Sequence, residues 1–176
     1  MLLAFYNNKM TKLNLGCYKT IMKDYINVDK QKLKGVNVIC DLDIEPYPFE
    51  NNSINEIYAS SIIEHLENLG IFFKECKRIL KINGKLVIKT DNASYFLYHF
   101  NKWNHGNWLS KDKSDMHYHL FLRSHLINLA NRHKFKIIEE KYETKAYSWK
   151  GKLLFNILSI FGNRFSNTMI SIILRK

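Results

Sequence analysis

The sequence predicts an α/β fold: a doubly wound, mostly parallel sheet of about seven strands, with an antiparallel strand near the C-terminus. Three observations carry this. Short apolar runs alternate with longer stretches of helical spacing. The early runs each end in a polar cluster, at Gly16, Asp29, Asp41, Ser60 and Asp91. The chain has 176 residues, 46% of them hydrophobic, enough for one core and too few to expect two.

The organising stretch is KLNLGCYKTIMKDYINVD, Lys12 to Asp29. It reads as strand, tight turn, short helix, strand. Gly16 supplies backbone conformations that a β-carbon excludes, so a ligand can approach the main chain there. Asp29, at the end of the second run, is placed to accept hydrogen bonds from a ribose. Val36 to Cys40 is a third strand, ending in Asp41, Leu42 and Asp43. EPYPFENNS holds both prolines, Pro46 and Pro48, and reads as a fixed loop anchored in the core by Phe49.

Ile54 to Ala59 is the fourth strand, followed by Ser60 and Ser61. Ile62, Leu66, Leu69, Phe73, Cys76 and Leu80 then recur at helical spacing, with Gly70 as a break and Asn83–Gly84 as the stop. Leu86 to Ile88 is the fifth strand. In a parallel sheet the ends of these strands share one edge, so Asn14, Gly16, Asp29, Asp41, Ser60 and Asp91 are expected to converge there.

Beyond Asn92 the pattern loosens. Ala93 to Phe100 reads as a helix, and the aromatic- and histidine-rich stretch to Leu120 as an irregular cap. Ser124 caps an expected helix through His133, with Leu126, Leu129 and Ala130 inward. Phe135 to Tyr142 is a strand with one wet face, Lys152 to Phe161 an apolar helix, and Met169 to Leu174 the last strand.

Cys17, Cys40 and Cys76 form no CxxC pair and no even disulfide set, which predicts a reducing, cytoplasmic setting. MLLAFYNNKM is a poor signal peptide, and no run approaches the roughly 20 apolar residues that span a bilayer. The formal net charge of +11 points to anionic partners: nucleic acid, phosphorylated metabolites or an acidic membrane surface. The helix over 152–161 reads either as a cover for the sheet or as a peripheral membrane anchor flanked by Lys150, Lys152 and Arg164.

Taken together, LNLGCY, INVD, CDLD, YPFENNSINEIYASSIIEHL and ECKRILKINGKLVI, in that order, resemble the class I S-adenosylmethionine-dependent methyltransferases, in particular the small type 11 branch. The resemblance covers Lys12 to Asn92 closely and the rest by layout. It implies a Rossmann-like fold in a single domain over 1–176, with a cofactor part at 12–92, an acceptor-side cap at 93–122 and a sheet-completing part at 123–176.

The resemblance also implies S-adenosyl-L-methionine as cofactor. Asn14, Gly16 and Cys17 would wrap its methionine part and Asp29 would bind the ribose. Asp41 with Leu42 would contact the adenine, and Ser60 would close the site. Gly16 and Asp29 stand closer together than the roughly 20 residues of nicotinamide-binding folds. Three positions depart from the family: Tyr18 stands where it has glycine, Asn14 where its first strand carries an acid, and Asn55 where it has an acid before the fourth strand.

Methyl transfer is an in-line displacement that needs positioning first and a base only for some acceptors. His117 and His119, in the cap, are the candidate catalytic bases. Tyr95, Trp103 and Trp108 are candidates to stack on a planar acceptor. No carboxylate is clearly spaced with the histidines, so no metal is assigned. The expected acceptor is a small molecule or a sugar or lipid intermediate. The alternatives are an RNA or other nucleic-acid acceptor, motivated by the charge, and a non-catalytic scaffold of this fold, motivated by Tyr18 and Asn14.

Overall fold

The computed structural model describes residues 10–95, 116–144 and 155–176. The strands are β1 (Lys12–Leu15), β2 (Ile26–Asp29), β3 (Val38–Ile39), β4 (Ile54–Ser60), β5 (Leu80–Asp91), β6 (Lys136–Glu143) and β7 (Met169–Arg175). They form one seven-stranded sheet in the order β3-β2-β1-β4-β5-β7-β6. β1 to β5 pair in parallel, and β7 runs antiparallel to both β5 and β6. The doubly wound sheet with its late antiparallel strand is therefore as the sequence predicts. The order reverses between β1 and β4, which sets the ligand-binding edge at the carboxyl ends of those strands.

Among the described residues, the two longest helices lie between β4 and β5 and between β5 and β6. α1 (Leu69–Ile79) links β4 to β5 and buries Phe72, Phe73, Cys76 and Ile79. α2 (Arg123–Arg132) precedes β6 and buries Leu126 and Ala130. Their faces follow the apolar spacing, because positions three and four apart share one side of a helix. The core cluster runs through Leu13, Leu15, Ile57, Phe73, Leu86, Ile88 and Ile172, all at most 1% exposed. Burial of such a side chain contributes roughly 1.5–3 kcal/mol.

Several local expectations are corrected. The short helix expected after Gly16 is absent among the described residues: 16–25 cross by turns, with Thr20 N–H donating to Cys17 O (2.7 Å) and Tyr25 N–H to Met22 O (3.2 Å). Asparagine side chains stand in for it. Asn14 Nδ2 donates to Thr20 O and Asn27 Oδ1, while Asn27 Oδ1 also accepts Met22 N–H. The pattern from Ile62 divides into a 3-10 turn (Ile63–His65) and α1.

Ser124 lies inside the first turn of α2, whose N-cap is Leu122. Residues 155–159 are helical, but Ile157, Ile160 and Phe161 are exposed and Leu158 is buried. The helix expected over Ala93–Phe100, and Trp103, His105 and Trp108, fall mainly or wholly outside the described residues.

The proline loop is fixed as expected, with Phe49 and Tyr47 in the core. Glu75, on α1, accepts Tyr47 N–H at 2.7 Å and holds Arg78 through Nε (2.9 Å) and Nη2 (2.6 Å). Arg78 in turn donates to the carbonyls of Phe49 and Tyr47. A paired carboxylate and guanidinium thus satisfy the loop main chain, which is what burying such charges requires.

Candidate functional site

A cavity of about 460 Å³ opens at the carboxyl ends of β1, β2 and β3, beside the segment that follows β4. Its walls include Gly16, Tyr18, Asp29, Gln31, Asp41, Leu42, Ser61, Ile62, His65, Met116 and Tyr118. A cavity of about 600 Å³ lies at the amino ends of the same strands, lined by Met10, Tyr25 and Asn37 among others. The strand-end rule for open α/β sheets selects the first one.

Gly16 has φ +65°, and a β-carbon there would lie 2.2 Å from Ile62 Cγ1. The turn after β1 and the segment after β4 therefore meet at the switch point only because residue 16 is glycine. Tyr18 adopts a left-handed backbone (φ +43°) and sends its half-exposed ring to the cavity rim, with Lys19 Nζ 4.9 Å from the ring centre. This conformation keeps the Tyr18 N–H for Asp29.

Asp29 is buried at 7% exposure. Its Oδ2 accepts Tyr18 N–H at 2.7 Å and its Oδ1 accepts Gln31 N–H at 2.9 Å. The two main-chain bonds fix the carboxylate plane, and each oxygen keeps a lone pair for a ligand. Asp41 is exposed, its Oδ1 accepting Asp43 N–H at 3.0 Å, and Leu42 beside it is buried.

The other sequence-selected residues sit elsewhere. Asn14 braces the turn from beneath and is off the cavity wall. Cys17 is buried under the turn, where burial and then the Asp29 charge push its thiol up to about 11. It stays protonated at neutral pH and serves as a small apolar filler. The wall after β4 is built by Ser61 and Ile62, one step beyond Ser60.

The cap segment reaches the cavity through main-chain bonds. Glu64 O accepts the N–H groups of Tyr118 (2.7 Å) and His119 (3.2 Å), and His65 Nδ1 lies 3.0 Å from Met116 O. Of the two histidines selected from sequence, His117 packs edge-on against the His65 ring, centres 4.6 Å apart. His119 instead lies against Phe121, centres 5.9 Å apart. Sequence reasoning passed over Ile62, Met116 and Tyr118 as wall residues. The strand-end rule could have found Ile62, but the other two arrive from a remote segment whose main-chain bonds leave no mark in the residue spacing.

Residues 18–88 match the model of a methyltransferase-domain family, type 11. A highly reducing polyketide synthase from Aspergillus sclerotiorum is 32% identical over 77 residues, 40% of this chain, and the chain spans 3% of the length of that relative. Among solved structures, a S-adenosylmethionine-dependent methyltransferase from Archaeoglobus fulgidus superposes with a TM-score of 0.67 at 17% identity, covering 98% of this chain and 88% of that one. One from Thermotoga maritima gives 0.66 at 16% identity (97% and 84% covered), and one from Mesorhizobium loti 0.63 at 15% (94% and 90%). At these identities the structural likeness speaks for the fold.

Proposed function

We propose that this chain, a class I S-adenosylmethionine-dependent methyltransferase of the type 11 branch, methylates a small-molecule acceptor, sugar and lipid intermediates included. The observation that carries the reading is the Asp29 carboxylate, held by two main-chain N–H groups on the wall of the strand-end cavity.

The residues present fit the cofactor. A carboxylate has about four acceptor positions; two are taken at Asp29, and the remainder suit the two hydroxyls of a ribose. Asp43 N–H engages Asp41 Oδ1, and the second carboxylate oxygen suits an adenine amino group, with Leu42 against the ring. The cavity volume falls in the range of roughly 300–1,000 Å³ that small ligands occupy. Bound there, S-adenosylmethionine supplies an electrophilic methyl group on a sulfonium.

The chain's own work is to bind, orient and exclude water. Gly16 and Ile62 close the floor at the switch point, Asp29 suits the ribose in the middle of the ligand, and His65, Met116 and Tyr118 form the wall left for an acceptor. Holding two reactants in near-attack geometry supplies much of the rate in such a displacement. A nucleic-acid acceptor is the second reading, favoured by the net charge of +11.

Calorimetric titration with S-adenosylhomocysteine tests the reading. Micromolar binding is expected, weakened about 10–100-fold in Asp29→Ala, the worth of a charge-assisted hydrogen-bond pair. Absence of binding to the native chain would leave the fold as a scaffold. Tight, salt-sensitive RNA binding would move the acceptor to nucleic acid.

A further inference from the structure

Glu64, His65 and His117 each offer one ligand atom, and these atoms lie within 4.8 Å of one another. Glu64 is 1% exposed, and the two histidines are half-buried. Spacing along the chain pairs no carboxylate clearly with His117. The carboxylate comes instead from the turn after β4, to which the cap segment is bound through Glu64 O.

We infer that Glu64, His65 and His117 form a divalent-cation site of the zinc or manganese class beside the cavity, and that the cation takes an oxygen of the methyl acceptor.

The supporting contacts are those a metal site needs. A carbonyl only accepts, so His65 Nδ1 carries the proton it gives to Met116 O, and Nε2 is the nitrogen left to ligate. A main-chain partner on the second ring nitrogen fixes tautomer and ring orientation, as metal-bound histidines require. Thr90 Oγ1 donates to Glu64 Oε2 at 2.8 Å and orients the carboxylate from β5. Bonds of about 2.1 Å bring ligand atoms to roughly 3–4 Å apart, so small rotations of the histidine rings close the set.

Two histidines and one carboxylate suit first-row divalent cations better than magnesium, which prefers oxygen ligands throughout. Three protein ligands leave coordination positions open, and His65 is itself a wall residue of the cavity, so the open side can face an acceptor. A hydroxyl oxygen on the cation loses its proton to water more readily than a free one, and the resulting anion is the stronger nucleophile. This second half rests on the methyltransferase reading, and it narrows the acceptor to an oxygen nucleophile.

The test uses the full chain after dialysis against EDTA, titrated calorimetrically with ZnCl₂ and with MnCl₂. One equivalent of at least one cation is expected, with affinity weakened about 10–100-fold in His117→Ala and unchanged in His125→Ala, a histidine exposed on α2. No uptake by the native chain, or equal uptake in His117→Ala, overturns the site. Where His117→Ala does not fold, the visible spectrum of the Co²⁺-loaded native chain decides: ligand-field bands of a nitrogen–oxygen set support the site, and the spectrum of aqueous Co²⁺ overturns it.

Catechol, a paired-oxygen probe, should shift those bands, and an unshifted spectrum overturns the acceptor half. A parallel titration with S-adenosylhomocysteine separates the two readings. Cation uptake without it removes the methyltransferase reading and the acceptor half with it while the cation site stands, and its binding without cation uptake removes the cation site alone.

Discussion

Strands β1, β2 and β3 run for four, four and two residues, whereas β4, β5, β6 and β7 run for seven, twelve, eight and seven. The first group crosses over by turns and loops in the described residues, and the second carries α1 and α2. Side-chain amides hold the first together: Asn14 to Asn27, Asn27 to the main chain at 22 and 25, and Asn37 Oδ1 to Asn27 N–H. Apolar side chains hold the second, with Leu86, Ile88, Ile172 and Leu174 at 0–1% exposure on adjacent strands. The ligand-binding edge is thus built on the half with little helical cover among the described residues, where directional bonds at the turns add to the burial of Leu13, Leu15 and Val28. The wider half supplies the stability that such an edge lacks.

The comparison breaks most visibly at Leu86. Leu86→Ala opens a cavity in the apolar half and should cost about 3–4 kcal/mol in urea denaturation, while the protein that remains folded keeps its affinity for S-adenosylhomocysteine. A large loss of affinity in folded Leu86→Ala would mean the halves are one energetic unit. Asn27→Ala strikes the other half. It strips the turn of its side-chain bonds and should cost about 2 kcal/mol, with a loss of cofactor affinity that the folded fraction does not explain.

The smallest expected effect lies at the seam. The Arg78 guanidinium beside Glu75 holds its carboxyl below the ordinary value of 4.5, against the opposing push of burial. A depressed carboxylate contributes stability above its unfolded value and loses it as pH falls through the folded one. Glu75→Gln should therefore cost about 1–2 kcal/mol at pH 7, and the gap to the native chain should narrow in melts taken below pH 4.5. A gap that stays constant with pH would show that shape, not charge, docks the proline loop on α1.

Much of the fold is legible because strand and helix differ in apolar period. The runs ending at Leu15, Val28, Ala59 and Ile88, and the face of α1, follow that period closely. The crossover of 16–25 is turns where the spacing predicts a helix, since its order rests on asparagine bonds to the main chain, which have no periodic signature. Ser124 differs for a related reason: a capping residue type is common, but the cap falls where the backbone leaves the extended conformation, which is at Leu122. Asn14 and Cys17, which the resemblance assigns to the cofactor, lie deeper in the turn, off the cavity wall.

The sheet, its parallel sense and the edge where Gly16, Asp29 and Asp41 meet can be read from the residues alone, because local periodicity and strand-end chemistry are written along the chain. Only the tertiary structure decided that Met116, His117 and Tyr118 return to Glu64 and His65. That return is made by main-chain hydrogen bonds between segments far apart in sequence, and every residue but proline offers those same groups, so residue type carries no record of it.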